Sequence, residues 1–295
     1  MAVLAIEGLS KSYGQIQALK DISFEVPQGS VFGILGPNGS GKTTLLGLVL
    51  EILYPLAGRF VWFETPEAQT AGLRRRIGTL LETPNFYPYL NGADNLAITA
   101  SIRGYGKEKI PDVLAQVGLA DHPKLAFSKY SLGMKQRLAL GASLLGGPEV
   151  LVLDEPTNGL DPSGIAEVRT LIKELCAGGK TIILASHLLD EVEKVCTHVA
   201  ILKKGVLLDV GSMEQVLQEE IVIDLQATDA GALKNALESF RPELHLIPQE
   251  HGFRVSGQAT AEELNRYCFD QGVTLSLLRT SKRNLESRFL ELTDE

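Results

Sequence analysis

Cysteine is scarce in this chain: Cys176, Cys196 and Cys268 lie far apart and form no Cys-x-x-Cys pair. They are expected to be ordinary buried thiols in a reducing compartment, rather than metal ligands or a redox pair. No apolar run reaches the roughly 18 residues of a membrane span, and the most suggestive stretch, LLGLVLEILYPLAG, is broken by Glu51 and Pro55. The opening MAVLAIEGLSKSYG has no basic region followed by an apolar core, which a signal peptide needs. Positive charge is also in deficit, with 28 Lys and Arg against 36 Asp and Glu, a net charge of −8. That balance argues against nucleic-acid binding through phosphate contacts. The chain therefore reads as soluble and cytoplasmic, with any membrane role coming through a partner. Its 295 residues, 44% hydrophobic, suffice for one large domain and a small one.

What is present is concentrated in a few segments. VFGILGPNGSGKTTLLGLVLEIL combines a short apolar strand, Val31 to Leu35, with a loop fitting G-x-x-x-x-G-K-[ST] and an apolar-periodic helix. The loop residues are Gly36, Pro37, Asn38, Gly39, Ser40, Gly41, Lys42 and Thr43, followed by Thr44. Its glycines let backbone N–H groups curl around a β-phosphate, and the helix N-terminus adds partial positive charge. Lys42 is placed to meet the β- and γ-phosphates, and the Thr43 hydroxyl to ligate Mg²⁺. A nucleoside triphosphate is the expected ligand.

EVLVLDEPTNGLDP gives an apolar strand, Val150 to Leu153, ending in Asp154 and Glu155. Acids at the end of a strand beside the phosphate loop fall in the ligand crevice of an open α/β sheet. Asp154 suits a Mg²⁺ contact through water, and Glu155 suits polarisation of the attacking water. KTIILASHLLDEV repeats the pattern with a strand from Thr181 to Leu184, then His187 before a helix. A lone histidine at a strand end is commonly a cap or a surface residue. In a parallel sheet with these neighbours, His187 instead points into the crevice and holds Glu155 and water in line.

Between these segments lies KYSLGMKQRLALGASLL, where Ser131, Leu132 and Gly133 open a helix. Ser and Gly at a helix N-terminus make a second anion site, which one cradle per chain does not need unless it serves another chain's nucleotide. At this point residues 3 to 215 resemble the ATP-binding subunit of an ABC transporter, of the exporter type linked to bacitracin and lantibiotic self-protection and to multidrug efflux. The family signature is usually Leu-Ser-Gly-Gly-Gln; Tyr130-Ser131-Leu132-Gly133-Met134 keeps the serine and second glycine. The resemblance implies ATP and Mg²⁺ as cofactors and a head-to-tail homodimer closing on two ATP molecules. It also implies transmembrane permease subunits as partners, peripheral attachment to the inner face of the cell membrane, and no nucleic acid. It places Tyr13 on the adenine ring, and the loop Asn158 to Asp161 at the opposite subunit's site.

The resemblance also gives a reading for Glu82 in GTLLETPNFYPYL, a carboxylate with no Lys or Arg between Arg76 and Arg103. It stands where most of the family has a glutamine that reaches Mg²⁺ and the attacking water. The loop carrying it links the sheet core to a helical subdomain of about residues 85–128 that docks on the membrane subunit.

The expected fold is α/β: a P-loop ATPase domain over 1–218 and a small α+β domain over 219–295. Residues 221 to 279 read as β-α-β-β-α-β, which suggests a ferredoxin-like unit. Its second and third strands are ELHLIP and GFRVSG, Thr260 and Glu263 form a capping box, and NLESRFLELT is a last helix. The resemblance to exporter subunits implies a drug, peptide or other small amphipathic compound as cargo. A soluble ABC protein acting on ribosomes or DNA is the main alternative, although two cradles or a long coiled-coil insertion would be usual there. A P-loop GTPase would need an Asn-Lys-x-Asp base-reading motif, which this chain lacks, and would leave Ser131 and Gly133 unexplained.

Overall fold

Short apolar strands, three of them buried on both faces, force a sheet covered on each side, and in the computed structural model they lie in its parallel part. The structure describes residues 1–64, 72, 74–81, 85–217, 221–241, 243–257, 259–282 and 284–293. Glu82 lies outside them. The chain divides into two compact units, Met1–Met213 and Glu214–Glu295.

In the first unit the strands are β1 (Ala2–Tyr13), β2 (Ile16–Pro27), β3 (Val31–Leu35), β4 (Ala57–Trp62), β5 (Ile77–Leu80), β6 (Val150–Asp154), β7 (Thr181–Ser186), β8 (His198–Lys203) and β9 (Val206–Ser212). They make a six-stranded sheet ordered β5-β6-β7-β3-β8-β9 and a three-stranded sheet ordered β2-β1-β4. In the larger sheet β5, β6, β7, β3 and β8 run parallel and β9 is antiparallel. The smaller sheet is antiparallel throughout. β7 continues two residues past its expected end, because Ala185 and Ser186 still pair with Ile34 and Leu35 of β3. One apolar cluster joins both sheets, through Ile6 and Leu9 of β1, Phe24 of β2, Val152 of β6 and Ile183 of β7.

The helices of this unit are α1 (Lys42–Val49), α2 (Gly92–Arg103), α3 (Ile110–Gln116), α4 (Leu132–Leu144), α5 (Pro162–Ala177) and α6 (Leu189–Val195). Leu45, Leu46 and Leu48 of α1 are fully buried, so the helix is pinned in the core with its N-terminus at the end of β3. Helices α2, α3 and α4 pack on one another. Asn91 caps α2 by accepting from Asp94 N–H at 2.9 Å. Tyr130, just before α4, is buried, and its hydroxyl bonds the Gly92 backbone at the start of α2. Burial holds that phenol above its usual pKa. The departure from the family signature at this position is thus a core contact. Of the three thiols, Cys196 and Cys268 are buried as expected, whereas Cys176 is only half-buried.

The second unit begins with most of α7 (Met213–Leu217) and contains β10 (Ile221–Ala227), α8 (Ala230–Phe240), β11 (His245–Gln249), β12 (Gly252–Ser256), α9 (Ala261–Asp270), β13 (Leu275–Lys282) and α10 (Leu285–Thr293). Its strands run in the order β11-β12-β10-β13, with every neighbour antiparallel. That order interleaves the two β-α-β halves. Leu233 and Leu237 of α8 and Leu264 and Cys268 of α9 share a core with Ile223, Leu225 and Val255. β11 starts two residues later than its sequence suggests, at His245. The Thr260–Glu263 capping box is formed, with bonds of 3.2 and 3.0 Å.

Candidate active site

The phosphate loop starts where β3 ends. Gly36 lies so close to β8 that a Cβ there would collide with the Leu202 carbonyl and come within 2.5 Å of Ser40 Oγ. Gly41 precedes α1 with φ 108°, a conformation that favours glycine. No side chain caps α1, and no acid stands in its first turn. Its leading N–H groups therefore remain directed at any anion that enters.

Lys42 is 6% exposed. A buried ammonium needs partners, and it donates to the Gly36 carbonyl at 2.8 Å and the Pro37 carbonyl at 3.4 Å. Its nitrogen also lies 3.7 Å from Glu155 Oε1. Ser40 Oγ is buried and has no hydrogen-bond partner among the described residues. An orphaned hydroxyl in a loop of this shape fits a ligand rich in acceptor oxygens. Thr43 Oγ1 donates to Asp154 Oδ2 at 3.0 Å, which ties the start of α1 to the end of β6.

Glu155 has φ 46°, a left-handed conformation that costs a non-glycine residue about 1–2 kcal/mol. The surroundings hold it there. Its N–H donates to the Ala185 carbonyl at 2.9 Å, and its carbonyl accepts from Asn158 N–H at 3.1 Å. The carboxylate meets His187 Nδ1 at 2.9 Å. β7 lies between β6 and β3, so His187, following β7, emerges between the acids and the phosphate loop. Lys42, Glu155 and His187 thus form a contiguous chain at the carboxyl edge of the sheet.

A cavity of about 610 Å³ opens over this edge, within the size range of ligand sites. Tyr13, Asn38, Gly39, Ser40, Gly41, Lys42, Thr43, Thr44, Asp154 and Glu155 line it. So do Ile16, Gln17, Ala18, Lys20 and Lys204, which the sequence reading did not single out. The nearest signal was the continuity of residues 16–20 with Tyr13. Tyr13 is 47% exposed, with Lys11 Nζ 5.4 Å from its ring centre.

Ser131, Gly133 and Asp161 do not line this cavity. Ser131 is exposed and caps α4, accepting from Met134 N–H at 3.2 Å. Asp161 caps α5, accepting from Gly164 N–H at 3.1 Å and from the Ser163 hydroxyl at 2.7 Å. Those two bonds, the hydroxyl's first, hold its carboxyl below the usual range.

Comparison with known proteins agrees with the geometry. Residues 19–158 match the family model described as ABC transporter. The chain is 34% identical over 295 residues to the bacitracin transport ATP-binding protein BcrA of Enterococcus faecalis, covering 98% of this chain and 96% of that protein. It is 37% identical over 203 residues to the lantibiotic transport ATP-binding protein SrtF of Streptococcus pyogenes, covering 69% of this chain and 88% of that one. Among solved structures, cbiO1 of Clostridium perfringens, part of the ABC transporter complex cbiONQ, matches with TM-score 0.67 and 31% identity, over 74% of this chain and 91% of that one. The chain belongs to the ABC transporter ATP-binding family, and it is an ATPase.

Proposed function

We propose that this chain powers an export system by hydrolysing ATP at the crevice formed by Lys42, Glu155 and His187, acting on separately encoded permease subunits. The contact that carries the reading is Glu155 to His187 at 2.9 Å, beside the phosphate-loop lysine. ATP lies with its adenine against Tyr13 and its phosphates in the loop Gly36–Thr44. Lys42 then exchanges its contact with Glu155 for the γ-phosphate. Glu155 takes a proton from water as the water oxygen bonds to phosphorus, and the bond to the ADP oxygen breaks. A neutral imidazole donating Nδ1–H to Glu155 leaves Nε2 an acceptor. Once Glu155 carries the proton, Nδ1–H still donates to its unprotonated oxygen, and Nε2 is free to accept from a hydroxyl of the released phosphate.

Mg²⁺ commonly binds through one or two protein oxygens together with substrate phosphates and water. Thr43 and Asp154 fit that requirement, and we assign Glu82, by the family resemblance of its position in the sequence, as a further ligand. The cation, when bound, neutralises charge on the β- and γ-oxygens. Ser131, Gly133 and Asp161 lie off the cavity, as is needed if they close on the nucleotide of a second copy arranged head to tail. The names of the relatives support a drug or peptide cargo. On this reading the chain sits peripherally on the cytoplasmic face of the membrane.

The test uses Glu155→Gln, expressed in the native host and purified with ATP from detergent-solubilised membranes. A stoichiometric polytopic membrane protein identified by mass spectrometry is the expected companion. Ribosomal proteins or DNA in its place would overturn the transport reading.

A further inference from the structure

His187 is useful only if something fixes it, and the helix that follows it is weakly anchored by itself. α6 has seven residues, and its N-cap, Leu188, supplies no side-chain bond. Locally, Leu188 N–H donates to Ser186 Oγ at 3.1 Å, which shapes the turn through His187. Among the described residues, two contacts that help tie the helix to the rest of the unit stand out. Val192 is 1% exposed and packs on β3 where Gly33 leaves room: a Cβ on Gly33 would lie 2.8 Å from Val192 Cγ1. The second tie is ionic. Arg169 of α5 reaches Glu191 Oε2 at 3.4 Å, with the two side chains 28% and 19% exposed.

The position of this ion pair matters more than its strength. Glu191 is in the first turn of α6, one helical turn from His187. Arg169 is on the helix that Asp161 caps. Arg169 and Glu191 also border a small cavity of about 20 Å³, together with Pro156, Thr157 and Ser186. These are the residues that follow Glu155 and precede His187. The pair therefore shares a cavity with the residues next to both ends of the Glu155–His187 contact. Arg169 is not among the residues lining the nucleotide cavity. Lys194 also meets Glu191, at 3.4 Å, but from the same helix, so it cannot hold α6 against α5.

We propose that Arg169 is a positioning residue for hydrolysis, holding His187 against Glu155 through Glu191. The proposal rests on the reading of Glu155 and His187 as the hydrolytic pair. Small displacements of reacting groups cost about ten- to a hundredfold in rate. Arg169 touches no part of the cavity, so its loss acts on kcat and leaves ATP binding alone.

The experiment compares steady-state ATPase kinetics and nucleotide affinity of the full-length chain and its variants, with thermal unfolding as a check on folding. Arg169→Ala is expected to lower kcat at least tenfold, with KM and the nucleotide Kd within twofold of wild type. Arg169→Lys recovers part of the loss, and the exchange Arg169→Glu with Glu191→Arg restores kcat to within about threefold. Adding Arg169→Ala to His187→Ala changes the residual rate no further, because both act through the same imidazole. A wild-type kcat for Arg169→Ala, or a further tenfold loss in the His187→Ala background, overturns the proposal. If Arg169→Ala does not fold, the charge exchange decides: a folded exchange variant with no recovered kcat is equally contrary. A wild-type rate for His187→Ala itself would instead overturn the underlying site reading.

Discussion

Gly36 shows how closely the nucleotide site is built. With the Leu202 carbonyl and Ser40 Oγ against any added Cβ, Gly36→Ala must displace backbone. Overpacking of this kind costs about 1–3 kcal/mol. The expected result is a lowered Tm together with loss of ATP binding by equilibrium titration, whereas Lys42→Ala loses ATP-dependent function. For Glu82, transport-coupled hydrolysis in the full complex should fall strongly in Glu82→Ala and less in Glu82→Gln. Unchanged ATPase of Glu82→Ala would remove it from the site. The loop, Asp154, Glu155 and His187 were legible because each sits where a short apolar strand stops, a local signal. The left-handed backbone of Glu155 was not legible, because it depends on pairing with β7. Lys20 and Lys204 had no pattern of their own, since only the meeting of β2 with the β8–β9 turn brings them to one cavity.

Elements of the sheet were read with unequal success for a physical reason. β3, β6 and β7 are buried on both faces and appear as unbroken apolar runs. β1 mixes buried and partly exposed positions and carries register shifts, so neither alternation nor a continuous run marks it. The three-stranded sheet it centres was accordingly missed. At the edge of the six-stranded sheet, Arg76 holds Glu149 through bonds of 2.7 and 2.7 Å, and its guanidinium stacks 3.5 Å from the Phe63 ring centre. The Arg76 hydrogen bonds hold the Glu149 carboxyl below its ordinary value. A depressed carboxyl stabilises the fold above its unfolded pKa, about 4.3, and that contribution is lost as pH falls through the lower folded value. Glu149→Gln is therefore expected to lower Tm at neutral pH and to narrow its gap to wild type below pH 4. A pH series of thermal melts reads this out; a constant gap would contradict it. In the second unit, Thr260→Ala removes the α9 cap and should cost about 1 kcal/mol by denaturant unfolding.

At the scale of the molecule, the first unit gathers the nucleotide-cavity residues from the carboxyl edge of the six-stranded sheet and from β1 and β2 of the smaller one, while Ser131, Gly133 and Asp161 lie off that cavity. Among the described residues no helix is long and apolar enough to cross a membrane. The second unit has its own core. The sequence carried the order of its six main elements because each alternates or caps in a recognisable way. The most direct test of the account follows Glu155→Gln in the full-length chain with ATP, measuring bound nucleotide, turnover and mass in solution together. The account predicts wild-type affinity, hydrolysis slowed by about 10²–10⁴-fold as for loss of a general base, and an ATP-dependent dimer that persists. Hydrolysis at the wild-type rate would contradict it.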